Sequence, residues 1–230
     1  MKIITFFRSV ISRVLRLLGI KIKRTILPVV PFKELLPSID VDPIEKKDTN
    51  GNITLTELVV ISQLIKNRKP KSIFEIGTFD GRTTLNLANF SPDDALVYTL
   101  DLPKSNIDDA KFGIEEGDRK YVEKETIGER FKKNPTKITQ LYGDSAVFDF
   151  SPYYGKIDFM FVDGSHSAPY AKSDTEQAFK MVKNGGLILW HDYGVWRGVT
   201  KVLNDYYKND KRFINIKHIE GTCFVILEVW

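Results

Sequence analysis

From Ser72 onward the chain alternates between two apolar rhythms. Short runs rich in branched or aromatic residues read as strands: Ser72 to Ile76, Leu96 to Leu100, Ile138 to Tyr142, Ile157 to Val162 and Leu187 to Trp190. Several are apolar on successive residues, as a strand covered on both faces must be. The segments after Arg82, between Ser167 and Lys183, and from Gly198 to Tyr207 carry helical spacing instead. Strand–helix alternation at these intervals predicts an α/β fold with a mostly parallel, doubly wound sheet. The chain's end differs. Phe213 to Ile219 and Cys223 to Val229 flank Glu220-Gly221-Thr222, the pattern of an antiparallel hairpin at a sheet edge.

Ahead of the first strand, Thr54-Leu55-Thr56-Glu57 has the spacing of a capping box. It opens a helix to about Lys66 whose buried face is Leu58, Val59, Ile61, Leu64 and Ile65. Ile26 to Pro43 carries four prolines and little periodicity, so it reads as an extended connector, and Asp48 to Asn52 reads as a turn. On a helical wheel of about 100° per residue, the first residues separate into two faces. Lys2, Thr5, Arg8, Ser9, Ser12, Arg13 and Arg16 share one arc, while Ile3, Ile4, Phe7, Val10, Ile11, Val14, Leu15, Leu17 and Leu18 fill the rest. Two roles fit such a basic amphipathic helix: an in-plane membrane anchor, or a helix docked on its own domain or a partner subunit. The arginines break every candidate signal-peptide core. The expected organisation is therefore a helix at 1–24, a connector at 25–53 and one catalytic-sized domain at 54–230.

Composition adds limits. A chain of 230 residues suits one α/β domain with an appendage. The net charge of +4 is mild and no basic stripe is interleaved with aromatics, so nucleic acid is not an expected partner. Cys223 is the one cysteine, which excludes an internal disulfide and any cysteine-based zinc cluster and suits a reducing compartment. The expectation is cytoplasmic, peripheral on the inner face of the membrane if the first helix is an anchor.

The candidate chemistry lies where each predicted strand ends. The first gives Glu75-Ile-Gly77-Thr78-Phe-Asp-Gly81-Arg-Thr83-Thr84, in which two glycines permit a tight turn and close approach of backbone to a ligand before a helix begins. The middle glycine of the dinucleotide fingerprint is missing, which counts against a nicotinamide cofactor. The second strand ends at Asp101, a carboxylate able to accept from ribose hydroxyls. The third ends in Gly143-Asp144-Ser145, the fourth in Asp163-Gly-Ser-His166, the fifth in His191-Asp192. Ligands of open α/β sheets bind beyond the carboxyl ends of strands, so all five segments meet at the edge where a ligand belongs.

Taken in order and spacing, these segments resemble the class I S-adenosylmethionine (SAM)-dependent methyltransferases, and within them the group of catechol O-methyltransferase and of small sugar and macrolide-sugar O-methyltransferases. The likeness spans about residues 54–230 and implies a seven-stranded Rossmann-like sheet of order 3-2-1-4-5-7-6 with strand 7 antiparallel. It implies that Gly77 and Gly81, with Thr78 and Thr83 of the same loop, cradle SAM while Glu75 supports them. Asp101 would hold the ribose, Asp144 and Ser145 would border the adenine, and Asp163 would complete the cofactor site. In metal-dependent relatives, acids at the positions of Asp163 and Asp192 bind a divalent cation such as Mg²⁺. The asparagine that follows the second acid in the catechol enzyme is Tyr193 here, so an amide ligand is lost.

Beside these acids stand two of the three histidines. His166 and His191 are each a candidate general base or replacement ligand, and each could instead order a neighbouring carboxylate. The polar stretch from Lys104 to about Glu129 suits a lid or a solvated helix. Trp190, Phe148 and Phe150 are most simply core residues, and Trp196 stays open between packing and substrate contact. The expected reaction is methyl transfer to a hydroxyl of a sugar, glycan or other small polyhydroxylated acceptor, by a monomer or a homo-oligomer. Three rivals stay open: a related SAM-fold metal enzyme of another reaction type, a nicotinamide dehydrogenase, and a membrane-bound SAM-binding module without turnover.

Overall fold

The computed structural model describes residues 25–132 and 137–230. The expected amphipathic helix at 1–24 lies outside the described residues. The strands are β1 (Val29–Val30), β2 (Ser72–Ile76), β3 (Leu96–Asp101), β4 (Ile138–Tyr142), β5 (Ile157–Val162), β6 (Val182–Trp190), β7 (Lys217–Ile219) and β8 (Val225–Glu228). The α-helices are α1 (Phe32–Leu35), α2 (Leu55–Arg68), α3 (Arg82–Phe90), α4 (Glu116–Val122), α5 (Ala168–Met181) and α6 (Arg197–Asn209).

The sheet runs β1-β7-β8-β6-β5-β2-β3-β4. Counted from β2 in chain order, the last seven places are the expected 3-2-1-4-5-7-6 arrangement. β8 runs antiparallel to both β6 and β7, and every other pairing is parallel. Two features depart from expectation. The connector does not simply pass by: its Val29 and Val30 pair with His218 and Ile219 as an eighth strand. β6 also begins five residues earlier than its apolar run, because Val182 pairs with Ile157 before the register shifts.

The continuous apolar runs are explained by cover on both faces. Ile73, Phe159, Phe161, Leu187 and Leu189 pack with Leu58, Ile61, Leu64 and Ile65 of α2 and Leu87 of α3. Their neighbours Phe74, Met160, Val162, Ile188 and Trp190 pack on the opposite side with Ala178 and Met181 of α5 and Val202 and Leu203 of α6. Burying each large side chain contributes roughly 1.5–3 kcal/mol before entropy is counted. Trp190 and Phe150 are core residues as expected, with Trp190 Nε1 donating to Thr175 Oγ1 at 3.0 Å.

Helix α2 starts at the predicted capping box. Thr54 Oγ1 accepts from the Glu57 N–H, and the Glu57 carboxylate accepts from the Thr54 N–H at 2.9 Å. This fixes Glu57 at the rim of the sheet's carboxyl edge. Among the described residues no helix is long and apolar enough to cross a membrane.

Candidate active site

The parallel ladder determines which side chains meet. Ile76 pairs with Leu100 and Val162, and Val162 pairs with Trp190. Gly77, Asp163 and His191 are therefore the first residues past three adjacent strand ends, level with Asp101, the last residue of β3. Backbone bonds carry the ladder one step further: Gly77 N–H to Leu100 O at 2.8 Å, Asp163 N–H to Ile76 O at 2.9 Å, and His191 N–H to Val162 O at 3.1 Å. A cavity of about 300 Å³ opens over this edge, and Gly77, Asp101, Asp144, Ser145, Asp163, His166, His191 and Asp192 all line it. That volume is at the lower end of the range for small-molecule sites.

Gly77 has φ +98°, and a Cβ there would stand 1.9 Å from the carbonyl oxygen of Asp163. Only glycine lets β2 and β5 turn away so close together. The other loop residues expected at a cofactor do not line the cavity. Gly81 (φ +85°) caps α3, and a Cβ there would meet the Phe131 ring at 2.5 Å. Thr78 turns beneath the loop, its Oγ1 2.7 Å from Thr99 Oγ1, and Thr83 is buried in the first turn of α3. Glu75 is wholly buried and accepts from Thr84 Oγ1 and, at 2.6 Å, from Thr99 Oγ1. Burial pushes its carboxyl up to about 8 against those two hydrogen bonds. Glu75 thus ties β2, β3 and α3 together under the loop, whereas Thr78, Gly81 and Thr83 belong to its scaffold.

Asp101 faces the cavity with its oxygens already engaged. Oδ2 accepts from Phe79 N–H at 2.7 Å and from Lys124 Nζ at 2.8 Å, and Oδ1 accepts from Leu102 N–H at 2.8 Å. Asp144 accepts from Ala146 N–H at 2.9 Å and Lys111 N–H at 2.8 Å, which closes the loop after β4.

At the other end, two histidines and four acids form one cluster. His166 Nε2 lies 2.9 Å from Asp192 Oδ2, and its Nδ1 is hydrogen-bonded to Asp118. His191 Nδ1 lies 3.1 Å from Asp163 Oδ1 and 3.3 Å from Asp192 Oδ1, while its Nε2 faces Glu57 Oε1 at 3.4 Å. Asp192 holds φ +67°, a left-handed conformation that costs a non-glycine residue roughly 1–2 kcal/mol and whose occurrences cluster at functional sites. Its carbonyl is locked by Val195 and Trp196 N–H groups at 3.2 and 3.0 Å.

The charges follow from this packing. Burial disfavours an imidazolium at His166, yet hydrogen bonds and charge from Asp118 and Asp192 outweigh it and hold the ring up to about 10. His191 is raised in the same way by Asp163, Asp192 and Glu57. Burial raises Asp163, whereas at Asp192 the two histidines overcome burial and hold the carboxyl below its usual range. Burial likewise opposes ionisation of Glu57, but His191 and the Cys223 N–H bring it down to about 2.

The donor set also suits a divalent cation. Asp163, His191 and Asp192 each offer one ligand atom, all within 4.8 Å of one another, and two carboxylates with one imidazole fit Mn²⁺ or Fe²⁺ as well as Mg²⁺. Tyr193 is no substitute for the lost amide. Its hydroxyl turns away, accepting from Ile26 and Leu27 N–H at 2.8 and 3.1 Å and donating to Asn204 Oδ1 at 2.7 Å.

Three contributors were not singled out in the sequence. Asp118, in a run of solvated charges, is buried against His166. Lys124 reaches Asp101 from the loop after α4. Glu57, legible as a cap, also meets His191. Trp196 resolves as a wall of the site, its indole stacked on the His166 ring at 4.1 Å and 4°. The stretch after β3 does form a cover, with α4 lying across the cavity.

A caffeoyl-CoA O-methyltransferase of Populus kitakamiensis is 26% identical over 155 residues, covering 67% of this chain and 60% of that protein. Caffeoyl-CoA O-methyltransferase 2 of Petunia hybrida is 30% identical over 144 residues, covering 60% and 52%. The chain thus spans about half to three-fifths of the length of the curated relatives it matches. Among solved structures, an S-adenosylhomocysteine-bound methyltransferase of Podospora anserina superposes with a TM-score of 0.57 at 18% identity, over 79% of this chain and 80% of the other. The O-methyltransferase TomG of Streptomyces achromogenes, solved with SAM, gives 0.54 at 16% identity, over 81% and 92%. At such identities the likeness concerns the fold. A family model described as a methyltransferase domain matches residues 74–193, more than half of the chain and the whole of the sheet edge from Glu75 to Asp192. The chain belongs to this family of methyltransferase domains.

Proposed function

We propose that this chain transfers the methyl group of SAM to a hydroxyl oxygen of a small acceptor. One observation carries the reading: a single cavity has Asp101, a carboxylate suited to a ribose diol, at one end and the His166–Asp192–Asp163–His191 cluster at the other. SAM laid along the strand ends would reach from Asp144 and Ser145 past Asp101 to Gly77, leaving its sulfonium near Asp163. The sulfonium is already activated, so the protein's task is alignment and removal of one proton.

His166 is the group for that proton. As the acceptor oxygen attacks the methyl carbon, the S–CH₃ bond breaks, its electron pair stays on sulfur, and the hydroxyl proton passes to His166 Nε2. The ring must first be free of the proton that Asp118 and Asp192 hold on it. Asp192 governs this, because its carboxylate 2.9 Å from Nε2 favours the proton there, and engaging that carboxylate elsewhere would free the ring to accept. Asp163, Asp192 and His191 would hold a divalent cation, which supplies charge to lower the acceptor hydroxyl's pKa.

The acceptor class has two readings. A sugar or other polyhydroxylated molecule suits the polar cluster. A flat phenol suits Phe79, Tyr121 and Trp196 on the cavity wall, and the relatives' names point the same way. Residues 1–24 would hold the enzyme at an anionic membrane surface through their basic amphipathic pattern.

Turnover of labelled SAM with a panel of methyl glycosides and dihydroxyphenols tests the reading. Wild type should methylate at least one class, and Asp163→Ala, His166→Ala and Asp192→Ala should each lose most of that activity. Full activity in all three variants overturns the catalytic assignment, and tight binding of SAM without turnover of any acceptor favours a module without catalysis.

A further inference from the structure

Helix α4 carries a buried acid within a run of exposed charges. Glu115, Glu116, Arg119 and Lys120 face solvent, while Asp118 is only 3% exposed. A carboxylate is buried at such a place only if its oxygens are engaged. Those of Asp118 all go to one dipeptide. Oδ2 accepts from Ser165 Oγ at 2.8 Å and from His166 N–H at 3.1 Å, and Oδ1 takes the His166 ring at Nδ1.

From this geometry we infer that Asp118 is the positioning residue for His166, delivered to it by the helix that roofs the cavity. The inference rests on reading His166 as the acceptor of the hydroxyl proton. With Nδ1 tied to Asp118, the proton on that nitrogen is fixed and Nε2 is the atom left for chemistry. The ring plane is set independently, because the Trp196 indole lies parallel at 4.1 Å. Nε2 then points to Asp192 Oδ2 at 2.9 Å on the cavity wall. Tether, stacked plane and backbone bond leave the imidazole no free torsion. They also make correct ring placement depend on α4 lying over the site, so that the base is in order only under a closed roof.

Two readouts separate this role from simple anchoring of the roof. The first needs no acceptor: the strongly hydrogen-bonded Nδ1–H of His166 should give a downfield proton resonance in the full-length protein. It should be present in wild type and in His191→Gln, absent in His166→Gln, and lost or moved upfield in Asp118→Asn. The second is steady-state turnover on the best panel acceptor. Asp118→Asn should lower kcat by about 10-fold or more, part of the roughly 10²–10⁴-fold that a general base is worth, with KM for SAM within about twofold. Asp118→Ala should recover part of its kcat on addition of acetate. His166→Gln with full turnover removes the base itself, and the reading under "Proposed function" fails. An inactive His166→Gln beside an Asp118→Asn of unchanged kcat and unchanged resonance overturns the positioning role alone. If Asp118→Asn does not fold, the resonance and kcat of Asp118→Glu decide: both must change, and wild-type values for both overturn the inference.

Discussion

His166 and Asp192 stand 2.9 Å apart at the carboxyl edge of the sheet, on two different strand-end loops. A buried imidazole between two carboxylates, Asp118 on one nitrogen and Asp192 on the other, holds a proton that water alone would not leave there at neutral pH. Removing the ring should therefore separate chemistry from cofactor binding. His166→Gln should reduce turnover by roughly 10²–10⁴-fold while the Kd for SAM by calorimetry stays within a few-fold. A parallel loss of SAM affinity would place His166 in cofactor binding instead.

Asp101 should dominate the ribose end. Its carboxylate would exchange Lys124 for two hydroxyl donors, each charge-assisted bond contributing about 1.5–3 kcal/mol. Asp101→Asn is expected to weaken SAM by about 10-fold or more. Lys124→Met removes the competitor and should tighten SAM by about two- to fivefold, as suits a partly buried ion pair worth up to ~1 kcal/mol. Weaker binding in Lys124→Met would show the lysine to be part of the closed cover over bound SAM.

Glu75 links the fold to pH. Its folded carboxyl is raised to about 8 by burial, against about 4.3 in an unfolded chain. The folded state binds its proton more tightly, so this contribution is fully present below about pH 4 and is lost as pH rises through about 8. Glu75→Gln keeps an acceptor for Thr84 and Thr99 and cannot ionise. Its melting temperature relative to wild type should rise between pH 5 and pH 9. A difference that does not vary with pH would mean that Glu75 keeps its charge when buried.

The acid pair should respond to cations. Mn²⁺ or Mg²⁺ should raise the melting temperature of wild type by relieving Asp163 beside Asp192, with EDTA reversing the shift. The shift should vanish in Asp163→Asn and Asp192→Asn. No shift with either ion in wild type would leave the two histidines as the only counter-charges of this cluster among the described residues.

Residues 1–24 can be tested separately. The full chain should float with vesicles containing anionic lipid and remain in the lower fraction with neutral vesicles, whereas a chain lacking residues 1–24 should not float with either. Equal partitioning of both forms would assign the apolar face to a protein contact.

Local sequence determined the elements because their causes are local. The apolar runs of β2, β5 and β6 alternate between two covered faces, the Thr54–Glu57 box starts α2, and strand–helix alternation brings five loop segments to one edge. That is why Gly77, Asp101, Asp144, Asp163 and Asp192 could be placed on a common site before any distance was known. Tertiary structure decided where the side chains point. Thr78 and Thr83 sit in the right loop but turn inward, and Tyr193 follows Asp192 yet serves the connector at Ile26 and Leu27. Asp118 meets a ring 48 positions away and Lys124 an acid 23 positions away. Such contacts leave no period in the chain, because their cause is the burial of one charge by another segment, and that exists only once the sheet has formed and α4 has closed over it.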